Sequence, residues 1–144
     1  MVSYVLDTVT ISEMRKEPSN ASVIRFLETT DNERLFLSVM TIGEIFDGID
    51  RMPFGARRNE FLVWLLDIKE SYGERIISVD EAIAERWGQL SALVHRAGGQ
   101  LKVVDGLIAA TAQVHGLTVV TRNAKDFEPT GVPIINPWLD EDDA

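Results

Sequence analysis

The chain has 144 residues, with 14 Lys and Arg against 23 Asp and Glu, a formal net charge of −9, and no cysteine. That length is one ordinary domain, able to bury about 70% of its unfolded surface without staples. The lack of cysteine excludes disulfides, thiolate metal sites and a cysteine nucleophile and fits a reducing cytoplasm, while the acidic balance argues against general polyanion binding on composition alone.

In chain order, Val2–Leu6 reads as a short buried strand ending at Asp7. Thr10-Ile11-Ser12-Glu13 matches a capping box that opens a helix, with Thr10 as the cap. Ser22–Glu28 is a second short helix and Leu35–Val39 a second strand. Thr41-Ile42-Gly43-Glu44 is another capping box, starting a helix through Ile49, and Met52-Pro53-Phe54-Gly55 is a turn. Arg58–Glu70 is amphipathic, with Phe61, Leu62, Leu65 and Ile68 on one face. Arg75–Ile77 is a third strand. Asp80–Ala97 follows as a helix with Ile83, Trp87, Leu90 and Val94 at helical spacing, stopped by Gly98-Gly99. Asp105–His115 is a helix apolar on nearly every side, ended by Gly116. Leu117–Val120 and Val132–Ile135 are the last two strands, the latter leading into Asn136-Pro137-Trp138.

Short strands alternating with helices specify an α/β domain with a mostly parallel central sheet flanked by helices. Neither a repeat nor a linker interrupts it, and the only biased stretch is the acidic ending at 140–144, expected to be disordered. The apolar runs are far shorter than the ~20 residues of a membrane span, and Met1–Asp7 shows no basic leader. The expectation is a cytoplasmic protein with no membrane contact.

In open parallel sheets, ligands gather beyond the carboxyl ends of the strands. Asp7 follows the first strand, Glu44 lies a short turn beyond the second, Asp105 opens the helix that feeds the fourth, and Asp126 follows the fourth after Thr121-Arg122-Asn123. Parallel strands would bring these four carboxylates to one edge, where they repel each other unless cations neutralise them. Hard oxygen donors suit Mg²⁺ or Mn²⁺, which act on phosphates and can activate water for phosphodiester hydrolysis. Each acid also has a structural use. Glu44 closes a capping box, Asp105 is an ordinary N-cap, and Asp126 is a turn acid. Asp7 has fewer such uses because Thr10 serves as the cap. His95 and His115 sit near helix ends and read as structural. Ser12 and Ser38 lack a histidine in a triad arrangement. Neither a G-x-G-x-x-G nor a P-loop motif occurs, and Trp64, Trp87 and Trp138 read as packing.

The same residues resemble a known family. Tyr4-Val5-Leu6-Asp7-Thr8 with Ile11-Ser12-Glu13, Leu37–Ile45, Asp105–Ala112 and Val120–Phe127 are similar to successive blocks of PIN-domain ribonucleases of the VapC toxin family. Ala84-Glu85-Arg86-Trp87 and Ile135-Asn136-Pro137-Trp138 are similar to its FitB-like branch. The blocks keep family order over nearly the whole chain. The resemblance implies a PIN domain over residues 1–139 and a Mg²⁺- or Mn²⁺-dependent endoribonuclease. It further implies a toxin of a type II toxin–antitoxin system, inhibited by a cognate VapB-type antitoxin, and a homodimer. Its RNA would be tRNA, rRNA or mRNA.

By motif position the resemblance makes Asp7, Glu44, Asp105 and Asp126 the metal ligands, with Asp126 rather than Asn123 supplying the fourth acid. Thr8, Thr121 and Asn123 become supporting polar groups. Arg122 and Lys125, which flank Asp126, are candidate phosphate contacts, against the alternative of a solvated loop. One departure stands out, because Val9 occupies the place where the family usually carries Asn. A valine cannot donate or accept a hydrogen bond. The competing function is a catalytically weak PIN-like binding module acting through an antitoxin–DNA repression complex, and metal binding at the carboxylates separates the two. For the partner, apolar residues of Arg58–Glu70, including Trp64, could form a groove for an antitoxin helix, with simple core packing the alternative favoured for most of them, and a basic antitoxin tail could enter the acidic site.

Overall fold

The computed structural model describes residues 1–138; the expected tail at 140–144 and the domain end at 139 lie outside them. Five strands, β1 (Tyr4–Leu6), β2 (Leu35–Ser38), β3 (Ile76–Ile77), β4 (Thr118–Val120) and β5 (Ile134–Ile135), form one sheet in the order β3-β2-β1-β4-β5. Every pairing is parallel, with Leu6 beside Leu37 on one side and Val120 on the other. The helices are α1 (Thr8–Ser12), α2 (Ala21–Thr29), α3 (Val39–Asp50), α4 (Ala56–Tyr72), α5 (Glu81–Arg96), α6 (Val103–His115) and α7 (Ala124–Phe127).

The strands are short and almost wholly apolar because both faces of the sheet are covered, and the period of two divides their side chains between two cores. Leu6, Leu35, Leu37 and Val120 turn to one face, packing with Ile11, Ile42, Ile45, Ile49, Leu65 and Ile68 from α1, α3 and α4. Val5 and Val119 turn to the other, against Ile83, Leu90, Ile108, Ala109 and Ala112 of α5 and α6. The alanines of α6 let it sit close to the sheet, which explains a helix apolar on most sides. Gly106 serves the same close packing: a Cβ there would lie 2.7 Å from Trp87 Cδ1 and 2.9 Å from its Nε1. Among the described residues, no helix is long and apolar enough to cross a membrane.

Three helix starts differ from the sequence expectation. Helix α1 begins at Thr8 with Asp7 as its N-cap, not at the Thr10 box. Helix α3 begins at Val39, capped by the Ser38 hydroxyl, which accepts from the Met40 N–H at 3.1 Å. This puts Thr41 and Glu44 inside the helix, so Glu44 is not a capping residue. Helix α6 starts at Val103 with Lys102 as N-cap, leaving Asp105 in the first turn rather than at the cap. By contrast, Asp80 caps α5 as expected, accepting from the Ile83 N–H at 2.9 Å.

Candidate active site

From β1 the chain moves outward through β2 to β3, then crosses back to place β4 on the other side of β1. The reversal makes the crevice beyond the carboxyl ends of β1 and β4 the switch point where a parallel sheet opens to a ligand. Asp7 is the residue directly after β1 and Thr121 the one directly after β4. Their backbones continue the ladder: the Asp7 N–H donates to the Val120 carbonyl and the Thr121 N–H to the Ile135 carbonyl, both at 3.1 Å.

A cleft of about 250 Å³ opens here, lined by Asp7, Thr8, Val9, Glu44, Lys102, Asp105, Ile108, Asn123, Asp126 and Phe127. All four expected carboxylates share it, delivered by the end of β1, by α3, by the first turn of α6 and by α7. So do Thr8 and Asn123. Thr121 is fully buried beneath it. Val9 also faces the cleft and is 36% exposed. Lys102 is a cleft residue that the sequence reading did not single out. Arg122 does not line the cleft; its guanidinium stands over the Trp138 ring, 5.6 Å from the centroid. Lys125 lies on the adjoining wall with Asp105 and Asp126.

Asp7 is only 5% exposed, and burial pushes its carboxyl above the ordinary value. The hydroxyls of Thr121 and Thr10, the Thr10 N–H and the repelling charge of Glu44 then adjust it, the first three downward. The Thr10 N–H donates to Asp7 Oδ1 at 2.9 Å. The Thr10 hydroxyl lies 2.7 Å from the same oxygen and 3.0 Å from the Val120 carbonyl, so it shares one proton between them. Thr121 Oγ1 accepts the Asn123 N–H at 2.9 Å, which leaves its own proton to face Asp7. Glu44 takes a hydrogen bond from the Thr8 hydroxyl, which also neighbours Thr41 Oγ1 at 3.3 Å. Asp105 is half-buried and its carboxyl rises from 3.8 to about 6, first through burial and then through repulsion by Asp126, with Asp7 and Glu44 adding smaller amounts and Lys102 opposing.

The donor set is therefore all carboxylate oxygen, mutually repelling and beside threonine hydroxyls. Among the described residues no three of these side chains converge closely enough to cage one ion. Hard carboxylate and hydroxyl oxygens are the donor chemistry of a hard divalent cation.

Beside this cleft runs a mostly apolar groove of about 290 Å³ between α1, α3 and α4, with which it shares Thr8 and Glu44. Ser12, Ile45, Gly48, Ile49, Met52, Phe61 and Trp64 line the rest, with Arg15 stacked 4.9 Å from the Phe61 centroid and 6.0 Å from that of Trp64. Leu65 and Ile68, on the apolar face of the same helix, pack in the core.

A parallel sheet whose acids gather at its switch point is the architecture of a ligand-binding α/β domain, and the PIN-domain family model matches residues 4–131. The chain belongs to that family. It is 36% identical over 135 residues to the VapC ribonuclease Y4jK of Sinorhizobium fredii, covering 93% of this chain and 96% of that one. It is also 33% identical to the toxin FitB of Neisseria gonorrhoeae over 137 residues, 94% and 99% of the two chains. The crystal structure of FitAcB from Neisseria gonorrhoeae superposes with a TM-score of 0.89 at 32% identity, covering 94% of this chain and 98% of that one.

Proposed function

We propose that this chain is the toxin of a type II toxin–antitoxin pair and a metal-dependent endoribonuclease. The observation that carries the reading is the convergence of Asp7, Glu44, Asp105 and Asp126 on one cleft at the sheet's switch point. A divalent cation there, Mg²⁺ or Mn²⁺, would supply the countercharge these acids lack and the Lewis acidity that activates water and a phosphate oxygen.

The chain's own residues do the rest. Asp7 is held rigid by Thr10 and Thr121, and Thr8 fixes the Glu44 carboxylate, so the acceptors face the cleft without reorganising. Asp105 and Asp126 close the opposite wall, where Asp105 sheds its proton near pH 6 and stands ionised at neutral pH. Asn123 presents an amide to the same space.

The partner would be a VapB-type antitoxin. Similar solved structures include FitAB bound to an IR36 DNA fragment, at 31% identity and a TM-score of 0.89, and a toxin–antitoxin complex from Klebsiella pneumoniae, at 25% identity and 0.66. The groove between α1, α3 and α4 supports the same partner: it offers apolar surface that runs into the acidic cleft, so one chain could pack in the first and reach the second with a basic side chain. The reading includes a homodimer.

The test is purified protein, free of antitoxin, incubated with total RNA and tRNA in Mg²⁺, Mn²⁺ or EDTA beside Asp7→Asn and Asp105→Asn. Metal-dependent cleavage lost in both variants is the expected result. A folded wild type that cuts no RNA and binds neither ion by calorimetry would leave the binding-module reading, with Val9 as the first suspect.

A further inference from the structure

The acid cleft continues past Asp105 and Asp126 into a smaller cavity of about 90 Å³, lined by Lys102, Lys125, Gln100, Leu101, Val94 and Pro129 together with those two acids. The two lysines arrive from separate elements. Lys102 stands at the N-cap of α6, and Lys125 lies on α7 next to Asp126.

The ion pairs among the described residues are Lys16–Glu13, Arg51–Asp47 and Arg58–Asp50, and neither cavity lysine takes part in one despite sharing its walls with two carboxylates. Several arginines are already engaged: Arg34 stacks on Tyr4, Arg122 on Trp138, Arg75 bonds main-chain carbonyls and Arg86 bonds Gln113. The exposed side chains of Lys102 and Lys125 make no hydrogen bond or ring contact among the described residues, and the charge of Lys102 acts on Asp105. The backbone of Lys102 is nevertheless fixed. Its carbonyl accepts the Gly106 N–H at 2.8 Å, and Gly106 is pressed under the Trp87 ring.

We infer that Lys102 and Lys125 form an anion subsite for the RNA phosphate next to the one cleaved at the carboxylates. The inference rests on the ribonuclease reading and names how that site would hold its substrate. A polynucleotide carries a phosphate at every step, so a strand whose scissile phosphate lies among the four acids must place a neighbour just outside them. With the acids compensated by a cation, the two ammonium groups become the uncompensated charge of this cavity. Lysine suits the role as a compact point charge on a flexible stem. This also answers how a chain of net charge −9 takes hold of RNA: attraction is local to the cleft rather than spread over the surface.

The experiment measures binding of a fluorescein-labelled, 2′-O-methylated uridine 12-mer by anisotropy in Mg²⁺ across a salt series. Wild type is compared with the double variants Lys102→Ala/Lys125→Ala and Lys102→Arg/Lys125→Arg. Each phosphate contact on a single strand adds about 0.7 to the log–log salt slope. The alanine pair should therefore flatten the slope by about 1.4. It should fall behind wild type by roughly 25-fold more at 0.1 M than at 1 M salt. The arginine pair should restore the slope, and Mg²⁺ binding by calorimetry should persist in both. An unchanged slope in the alanine pair, no wild-type binding of the 12-mer, or loss of Mg²⁺ binding in the alanine pair would each overturn the subsite. Cleavage of total RNA by the same wild-type preparation reports separately on the ribonuclease reading, so failure of one is distinguishable from failure of the other.

Discussion

Replacing Asp105 by Asn should make the cation-free protein more stable at neutral pH while removing its response to metal. Asp105 sits at a carboxyl pKa of about 6 against an ordinary 3.8, because burial and the charges of Asp126, Asp7 and Glu44 disfavour its ionised form. A shift of that size corresponds to about 3 kcal/mol at full weight, but the side chain is half exposed and solvent screening reduces it to about 1.5–2 kcal/mol. Against this stands the favourable position of a negative charge in the first turn of α6, which contributes about 0.3–1 kcal/mol and is lost in the variant. The net gain is about 1 kcal/mol, a rise in Tm of roughly 2–4 °C for a chain of this size.

The sign also fixes the pH profile. A carboxyl whose folded pKa is raised supports the fold below pH 3.8, and that support is lost as pH climbs through about 6. The Tm gap between Asp105→Asn and wild type should thus be near zero or slightly negative at pH 3.5, open between pH 4 and 6 and stay level above. Adding Mn²⁺ should invert the order at pH 7.5, since wild type gains about 2.7 kcal/mol at 100 times its Kd and the variant gains little. Scanning fluorimetry with and without Mn²⁺ measures all three. A variant less stable than wild type at pH 7.5 without metal, or equal gains with metal, would refute the claim that this carboxylate is held against repulsion for a cation.

Asp7→Asn retains an acceptor for the Thr10 N–H and should stay folded while cleavage falls at least about 100-fold. Asp7→Ala also loses the α1 cap and should unfold at lower urea than the Asn variant, by about 1 kcal/mol. Gly106→Ala forces a methyl against Trp87 and should destabilise by about 1–3 kcal/mol. Gly43→Ala on α3 meets nothing within 4 Å and should stabilise by about 0.5–1 kcal/mol, both read from urea midpoints. Val9→Asn, at a half-exposed position facing the cleft, should raise kcat/KM by about 5-fold through one added hydrogen bond and leave Tm within about 2 °C; a fall in kcat/KM would show that Val9 is adapted to its site.

The four carboxylates were legible because each lies directly after a parallel strand or on a helix beginning or ending at that edge, so chain order alone brings them together. Helix starts were less so, because cap-forming residues lie three apart in the sequence and local pattern does not choose between them. Asp7 wins over Thr10 because the Thr10 hydroxyl is buried between Asp7 and the Val120 carbonyl, a contact across the sheet that no window around residue 10 contains. Ser38 displaces Thr41 for the same kind of reason: α3 begins at the very end of β2, before the box is reached. Arg122 and Lys125 look alike from sequence, as two cations flanking Asp126. Trp138, sixteen residues further on, captures the first, while the second stays beside the acids. Lys102 could not be read at all, since its place depends on α7 meeting the start of α6.

These contacts bear on why the cleft is acidic yet open. Left to Coulomb repulsion, the four carboxylates would swing apart or take up protons. Threonine prevents the first: Thr10 and Thr121 hold Asp7, and Thr8 holds Glu44. The second is resisted at Asp105 by Lys102, which opposes the rise in its pKa. The fold thus keeps the acids on one cleft, with the cost carried by burial of the β1 end and repaired by the two cores beneath it. Asp7 caps α1 as Asp80 caps α5, but it is buried in a cleft shared with three other carboxylates, whereas Asp80 and the aspartates paired with Arg51 and Arg58 are exposed.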